Sequence, residues 1–203
     1  MEVSKGIHFF SGRGGSSNTY LIDQEILVDP GLDEFSGNLA KAIKAEDHDI
    51  KKIKIIIDTH GHYDHASANI FFKKLSGAKL CAHKNDAEKI ETGKGSCFEF
   101  FSQSPVVSKI DKFLEDGETI KTENHTFKVI HTPGHTSGSI CLYEENNKIL
   151  VSGDTLFAEG FGRTDLESGS EKELKASLKK IAGIKIKLLL PGHGEIFKGK
   201  FVL

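Results

Sequence analysis

The most informative stretch of this 203-residue chain is a run of imidazoles and a carboxylate within Thr59–His65. It contains His60, His62, Asp64 and His65, four potential ligands within six positions. Imidazole nitrogen and carboxylate oxygen are ligands that suit zinc, and also iron or manganese. Burying such a cluster without an ion would leave several polar groups unpaired. The run therefore predicts a metal site.

Three more candidate ligands lie in glycine-containing loops, each after a predicted strand. They are His135, Asp154 and His193. Because sheet proteins place their sites at strand ends, we expect these side chains to join the first cluster. Alternate residues of the first run can point to opposite sides, so its two halves could serve two ions. Seven ligands, one of them an aspartate able to bridge, are the number that a two-metal hydrolytic site needs.

The other five histidines show no spacing that suggests ligation. Lone histidines in loops are usually solvated. We therefore interpret the following residues as solvated rather than as ligands: His8, His48, His83, His125 and His131.

The elements that must position the ligands alternate between strands and helices. Strands are predicted at 6–10, 18–23, 25–29, 52–58, 79–83, 126–132, 139–144, 148–153 and 185–190. Helices are predicted at 33–45, from after His65 to 75, and behind a capping box at Ser170 and Glu173. The β-branched segment 52–58 indicates a strand buried on both faces, and it leads directly into the histidine run. This order predicts an α/β (α+β) fold, with mixed sheets covered by helices.

Composition narrows the class of protein. The net charge is -2, and only Arg13 and Arg163 are arginines, so nucleic acid is not an expected partner. No apolar run is long enough to span a bilayer, and no secretory signal is visible, so we expect a cytoplasmic protein without a membrane partner. Three cysteines without a Cys-x-x-Cys pair argue against a disulfide framework or a cysteine zinc site. Without repeats or linkers, residues 1–203 are expected to form one domain.

The ligand run resembles the metallo-β-lactamase superfamily, whose hallmark is His-x-His-x-Asp-His. Four further segments are similar to its glyoxalase II (hydroxyacylglutathione hydrolase) branch: TPGHTSGS at 132–139, SGDTLF at 152–157, GRTD at 162–165 and PGHG at 191–194. The resemblance extends from about residue 16 to residue 194. It implies a four-layer αββα sandwich of two mixed β-sheets flanked by helices, which agrees with the predicted elements.

The same resemblance implies a dinuclear hydrolase. One ion would be held by His60, His62 and His135, and a second by Asp64, His65 and His193, with Asp154 bridging. The two aspartates are the expected catalytic residues. The ions would be divalent, zinc before iron or manganese, and a hydroxide bridging them would attack the thioester of a small hydroxyacyl-glutathione-like substrate.

Substrate contacts are predicted less directly. Longer glyoxalase II enzymes carry a C-terminal helical region that supplies basic residues for glutathione, whereas this chain ends ten residues after His193. We therefore expect the short, single-domain type without that region. Arg163 is a candidate for contact with a substrate carboxylate, or for a structural pair with Asp165. Phe98 and Phe101 are candidates for a pocket wall.

The main alternative is a persulfide dioxygenase of the same superfamily, which shares the GRTD segment and the ligand motif but uses a single iron. There, His60, His135 and Asp154 would form a face of two histidines and one carboxylate. Hydrolysis is favoured because all seven potential ligands are present. A non-catalytic member would be expected to show substituted ligands, β-lactam hydrolysis a secretory signal, and a nuclease extra domains with a basic surface.

Overall fold

The computed structural model describes residues 1–203 as fifteen strands and five α-helices. The first half contains strands β1 (Glu2–Ser4), β2 (Ile7–Phe10), β3 (Thr19–Ile22), β4 (Ile26–Val28), β5 (Ile55–Ile57), β6 (Lys79–Ala82) and β7 (Lys112–Phe113). The second half contains β8 (Thr119–Lys121), β9 (Thr126–His131), β10 (Ile140–Glu144), β11 (Ile149–Gly153), β12 (Leu156–Phe157), β13 (Gly160–Phe161), β14 (Ile186–Pro191) and β15 (Phe197–Phe201). The helices are α1 (Ser36–Ala45), α2 (Tyr63–Ala66), α3 (Asn69–Ser76), α4 (Ala87–Thr92) and α5 (Glu171–Ala182), and none has the length and hydropathy to traverse a bilayer.

The strands form two mixed sheets and a small hairpin. The first sheet has the order β1-β2-β3-β4-β5-β6-β7, antiparallel as far as β4 and parallel from β4 onward. The second has the order β15-β14-β11-β10-β9-β8, in which only β11 and β14 are parallel neighbours. Strands β12 and β13 pair with each other alone. The prediction of two mixed sheets is confirmed.

Three separate apolar clusters show how these elements are layered. The largest lies between the two sheets and includes Tyr20, Phe127 and Leu142. A second lies between the first sheet and its helices and includes Phe72 of α3. A third joins the second sheet to α5 through Ile181. Three cores require four layers, so the αββα sandwich is confirmed.

The alternation within each strand explains why the sheets are covered on both faces. Side chains of a strand point to opposite faces in turn. In β3, Ile22 belongs to the core between the sheets, whereas Leu21 belongs to the core under the helices. In β10, Leu142 faces the other sheet and Cys141 faces α5. Such strands are buried throughout and mostly apolar, which matches the apolar runs of the sequence.

The helix predicted after His65 is interrupted. Ala68 N–H donates to Gly31 O, and the carbonyl that a continuous helix would use, that of Asp64, accepts from Ser17 N–H. Backbone groups of this segment are therefore hydrogen-bonded to the loops after β2 and β4 instead of to each other. The chain forms α2 and α3 instead of one helix. The predicted helix is therefore present as α3 over most of its range, and the prediction was wrong only at its start, for this long-range reason.

Several short elements escaped prediction: β1, β7, β8, β12, β13, α4 and β15. The first three have only two or three residues, too few to show a period. Strand β15 is mostly exposed, and its FKGKF sequence lacks alternation. The aperiodic stretch from 92 to 108 contains a 3-10 turn at Phe98–Phe101.

The topology brings strand ends from both sheets to one edge. Strands β4 and β5 run in the same direction, and they lead into the loops of Asp29 and His60. In the second sheet, β10 is antiparallel to both β9 and β11, while β14 is parallel to β11. Strands β9, β11 and β14 therefore share one direction, and they lead to His135, Asp154 and His193.

The inner core makes a prediction about stability. Phe127 is completely buried between the sheets, so Phe127→Ala should lower the free energy of unfolding by about 3–5 kcal/mol through lost contacts and a cavity. In the control Phe113→Ala, the residue is 48% exposed, and the change should stay below about 0.5 kcal/mol. Urea unfolding measures both, and equal losses would contradict the assignment of the core.

Candidate metal centre

The seven side chains predicted as ligands lie together at the shared edge. They fall into overlapping groups whose ligand atoms lie within 4.8 Å of one another: His60, His62 and His135; Asp64, His65 and His193; and His60, His65 and Asp154. The structure thus brings together every ligand that the sequence predicted, divided between two groups as the two halves of the run suggested. That they bind ions stays a prediction.

The first triad has the spacing of ligands around one ion. His62 Nδ1 lies 3.0 Å from His60 Nε2 and 2.9 Å from His135 Nε2. Ligand atoms of a tetrahedral zinc with bonds of about 2.0–2.1 Å lie roughly 3.3 Å apart. All three rings are buried. A small outward adjustment of the rings would therefore accommodate an ion.

The second triad combines two imidazoles with a carboxylate. His193 Nε2 lies 2.9 Å from Asp64 Oδ2 and 3.2 Å from His65 Nε2. His65 is fully buried, while His193 is partly exposed. This group is therefore as closely spaced as the first but more open to solvent.

Asp154 lies between the two triads. Its Oδ1 is 3.4 Å from His65 Nε2, and its Oδ2 is 3.6 Å from His135 Nε2 and 3.7 Å from His193 Nε2. Oδ1 is also a buried carboxylate oxygen without a hydrogen-bond partner, which is costly unless the group meets a cation. The residues present therefore fit two ions that share this carboxylate.

Hydrogen bonds on the far side of two rings set which nitrogen faces the centre. His135 Nδ1 donates to Arg163 O at 2.8 Å, which leaves Nε2 free to ligate. His60 Nδ1 lies 3.2 Å from Thr59 Oγ1, which itself donates to a carboxylate, so this ring also presents Nε2. The ring orientations needed for binding are thus fixed by the protein.

That carboxylate belongs to Asp29, which is almost completely buried. It accepts hydrogen bonds from Thr59 N–H and Thr59 Oγ1, both at 2.7 Å. Its Oδ2 also lies 3.0 Å from His65 Nδ1, an ion pair rather than an aligned hydrogen bond. Asp29 therefore supports one histidine through a threonine and a second directly.

Asp86 ties two of the ligand loops together. Its Oδ2 accepts from Gly61 N–H at 2.8 Å and from Thr136 Oγ1 at 2.6 Å, and its Oδ1 accepts from Gly138 N–H at 3.0 Å. The first donor lies within the histidine run, and the other two follow His135. One fully buried carboxylate thus sets the separation of the loops that supply the first triad.

The loop of His193 is held by β3 and by the residue that precedes it. Tyr20 Oη donates to Pro191 O at 2.6 Å, and Asn18 Nδ2 donates to the same carbonyl at 3.1 Å. Gly192 follows, and a Cβ there would lie 2.2 Å from Asp154 Oδ1. Only glycine lets the backbone pass this close to the shared carboxylate.

The electrostatics of the first triad favour the form that ligates. Burial and the neighbouring His65 ring hold the pKa of His60 well below its ordinary value. Burial and the His135 ring lower the pKa of His62 to about 3. Both rings are therefore unprotonated at neutral pH, as ligation requires.

The second triad is electrostatically different. Burial alone would raise the pKa of Asp64 and of Asp154, but the His65 imidazole and other histidines lower both. Burial opposes protonation of His65, yet Asp154 and Asp29 raise its pKa well above the ordinary value. An ion binding here therefore competes with a proton on His65.

The predicted substrate contacts lie beside the ligand loop. The rings of Phe98 and Phe101 lie 6.4 Å and 5.8 Å from that of Tyr63, which separates two ligands in the sequence. Arg163 Nε and Nη2 each donate to Asp165 at 2.7 Å, and both side chains are exposed. The structural pair is therefore present, and substrate binding by all three residues stays a prediction.

Two of the histidines interpreted as solvated are buried, so that interpretation was wrong for them. His83 is 6% exposed and stacks on His131 with ring centroids 4.0 Å apart. His125 is 4% exposed, and its Nε2 lies 2.7 Å from Lys5 O. Asp29 and Asp86 were also missed, although Asp29 is the last residue of a predicted strand, close to the strand-end position of the ligands that were found.

The role of Asp86 can be tested by Asp86→Asn. In this variant the side-chain NH₂ group would face one of the three hydrogen-bond donors from which the Asp86 carboxylate accepts. A buried donor left without an acceptor costs about 1–3 kcal/mol of stability. Loss of a group that orients ligand loops should weaken zinc binding by about 10–100-fold. Zinc competition with a chelating dye measures this, and exposed Glu123→Gln is the control. Unchanged affinity in a folded Asp86→Asn protein would contradict the role.

Comparisons with known proteins agree with this geometry. The model of a protein family described as "Metallo-beta-lactamase superfamily" matches residues 12–193. This range includes all seven candidate ligands. The probable metallo-hydrolase MJ0888 of Methanocaldococcus jannaschii is 36% identical over 196 residues, covering 92% of this chain and 91% of that protein. Hydroxyacylglutathione hydrolase GloC of Haemophilus influenzae is 30% identical over 180 residues, covering 83% and 79%.

Solved structures with the same fold cover nearly the whole chain. BLEG-1 B3 metallo-beta-lactamase has a TM-score of 0.84 at 27% identity, covering 95% of this chain and 93% of its own. The di-iron-bound form of TTHA1623 has a TM-score of 0.81 at 26% identity, covering 94% of each chain. Sequence, fold and arrangement of side chains agree, and this chain belongs to the metallo-beta-lactamase superfamily.

Proposed function

We propose that this protein is a metal-dependent hydrolase that cleaves a thioester of the hydroxyacyl-glutathione type. The observation that carries the proposal is the position of Asp154 between the two triads of candidate ligands. This position suits a pair of metal ions, for which zinc is the first candidate. When bound, such a pair lowers the pKa of a water molecule and polarises a carbonyl group. The similarity to a hydroxyacylglutathione hydrolase over 83% of the chain supports this substrate class.

Each candidate residue has a distinct task in this proposal. One ion would be held by His60, His62 and His135, the other by Asp64, His65 and His193, and Asp154 would be shared. Two histidines of the first triad, His60 and His62, are neutral at neutral pH, and the negative charge of the centre comes from its two carboxylates. Carboxylate oxygens of Asp64 and Asp154 can also accept a hydrogen bond from the attacking water and orient it.

The protonation of the centre favours a thioester over an amide. An amine leaves only after it receives a proton, whereas a thiol with a pKa of about 8.5 leaves readily as a thiolate. The pKa values of Asp64 and Asp154 lie below the ordinary value, so neither is poised as a general acid at neutral pH. A substrate whose leaving group needs no proton fits such a centre.

The surroundings of the centre offer a place for such a substrate. Phe98 and Phe101 provide partly exposed aromatic surface beside the ligand loop. The Arg163 guanidinium is engaged by Asp165, but both groups are exposed, so water screens their attraction. A substrate carboxylate could therefore replace Asp165 as the partner of Arg163.

A single experiment separates hydrolysis from persulfide oxidation, the main alternative. Protein purified without chelators is analysed for metals, then assayed for S-lactoylglutathione cleavage and for oxygen uptake with glutathione persulfide. We expect two ions per chain and thioester cleavage without oxygen uptake. Removing the metal ions with a chelator should abolish cleavage. Zinc, iron or manganese is then added back, each in a separate assay. One iron per chain with oxygen consumption would overturn the proposal.

The shared carboxylate gives the sharpest mutational test. Removing a residue that only orients a ligand typically costs 10–100-fold, so Asp154→Ala should lower kcat/KM by at least about a hundredfold and should reduce metal content. The control Glu145→Gln lies in the exposed turn after β10, and both quantities should be unchanged. Full activity of Asp154→Ala would remove the bridging role.

A further inference from the structure

A second group of potential ligands lies outside the centre described above. His8, Glu46 and His48 each offer one ligand atom, and these atoms lie within 4.8 Å of one another. His8 belongs to β2, Glu46 follows the last residue of α1, and His48 lies two residues further along. All three are partly buried.

The topology separates this cluster from the main centre. Helix α1 begins after β4 and ends before β5, two neighbouring parallel strands. It therefore starts near the edge that carries the main centre and ends at the opposite edge. His8 pairs across the sheet with Leu21, which faces the helices, so His8 lies on the helix side as well. The cluster thus joins the N-terminal strands to the end of the first helix.

The contacts within the cluster suit a metal ion. His8 Nδ1 lies 2.8 Å from Glu46 Oε2, and the ring centroids of His8 and His48 lie 4.1 Å apart at an angle of 75°. Two imidazoles and a carboxylate form a ligand set for zinc and for other divalent ions of the first transition row. Small rotations of the side chains would bring the three ligand atoms to the spacing of a common ion.

His48 supplies an independent observation. Both of its ring nitrogens are buried and have no hydrogen-bond partner within the chain. An imidazole buried without a partner is costly, whereas a bound ion would satisfy one of these nitrogens. Burial and the neighbouring His8 ring also lower the pKa of His48, which leaves the ring in its neutral form.

The backbone presents the ligands rigidly. Glu46 N–H donates to carbonyls of the last turn of α1, and His48 N–H donates to Ile43 O at 3.2 Å. Asp47 between them has φ 60°, a left-handed turn that reverses the chain at the helix end. The C-terminal end of a helix favours a cation. Glu46 also lines a cavity of about 630 Å³, which gives an ion access from solvent.

We propose that His8, Glu46 and His48 form a separate binding site for one zinc ion or a similar divalent ion that prefers imidazole. The Met1 amino group also contacts Glu46, at 2.5 Å, but the three side chains define the site. A bound ion would connect residue 8 with residues 46 and 48. It would therefore hold the N-terminal strands against α1 and stabilise the folded chain.

Counting zinc ions tests the proposal. Protein with its main centre loaded is desalted and then titrated with Zn²⁺ against a competing chelating dye. The unmodified chain should take up one equivalent more than His48→Gln or Glu46→Gln. The control is His125→Gln, a histidine in neither ligand group, and it should keep the full number of equivalents. Equal uptake by the unmodified chain and both cluster variants would overturn the proposal.

Melting temperatures provide a second, independent readout. Zinc at about 100 times its dissociation constant should raise the melting temperature of the loaded protein by about 5–10 °C. The rise should be absent in the two cluster variants and present in His125→Gln. If one cluster variant fails to fold, the other decides. An anomalous diffraction peak at the zinc edge between the three side chains would support the site, and its absence at saturating zinc would contradict it.

Discussion

The seven candidate ligands can point into one centre only if other residues hold in place the chain segments that carry them. Two buried carboxylates meet this need. Asp29 receives both donors of Thr59 and faces His65, and Asp86 receives donors from two ligand loops. A buried charge is tolerated only where donors surround it, so each carboxylate restricts its neighbours to one arrangement. The inward geometry of the centre depends on these contacts.

Both triads draw on both sheets. The first takes two ligands from the loop after β5 and one from the loop after β9, and the second combines two residues of α2, which follows the β5 loop, with the loop after β14. Contacts near 3 Å across two sheets require that the sheets cannot slide past each other. The close-packed core between them, which includes Phe127, supplies that rigidity. A bound ion would in turn act as a cross-link between the two halves.

Much of this could be predicted from the sequence, because the decisive signals are local. The residue types and spacing of the run at 60–65 predict a metal site, and the apolar segments predict strands that are buried on both faces. Other features depend on contacts between distant positions. Asp86 is one of 29 acidic residues, and its partner Thr136 lies 50 residues away. His8 and Glu46 are 38 residues apart, and the break between α2 and α3 depends on Gly31. No local pattern contains that information.

The hydrogen bonds from Asn18 and Tyr20 to Pro191 O have a consequence for the order in which the centre forms during synthesis. The segment that carries Asn18 and Tyr20 is synthesised well before the Pro191 carbonyl that it holds and before His193 beside it. A growing chain that has reached residue 135 already contains the all-histidine triad but lacks Asp154 and His193. The second triad is therefore completed only after the first triad has been synthesised, and a nascent chain cannot assemble the paired centre prematurely.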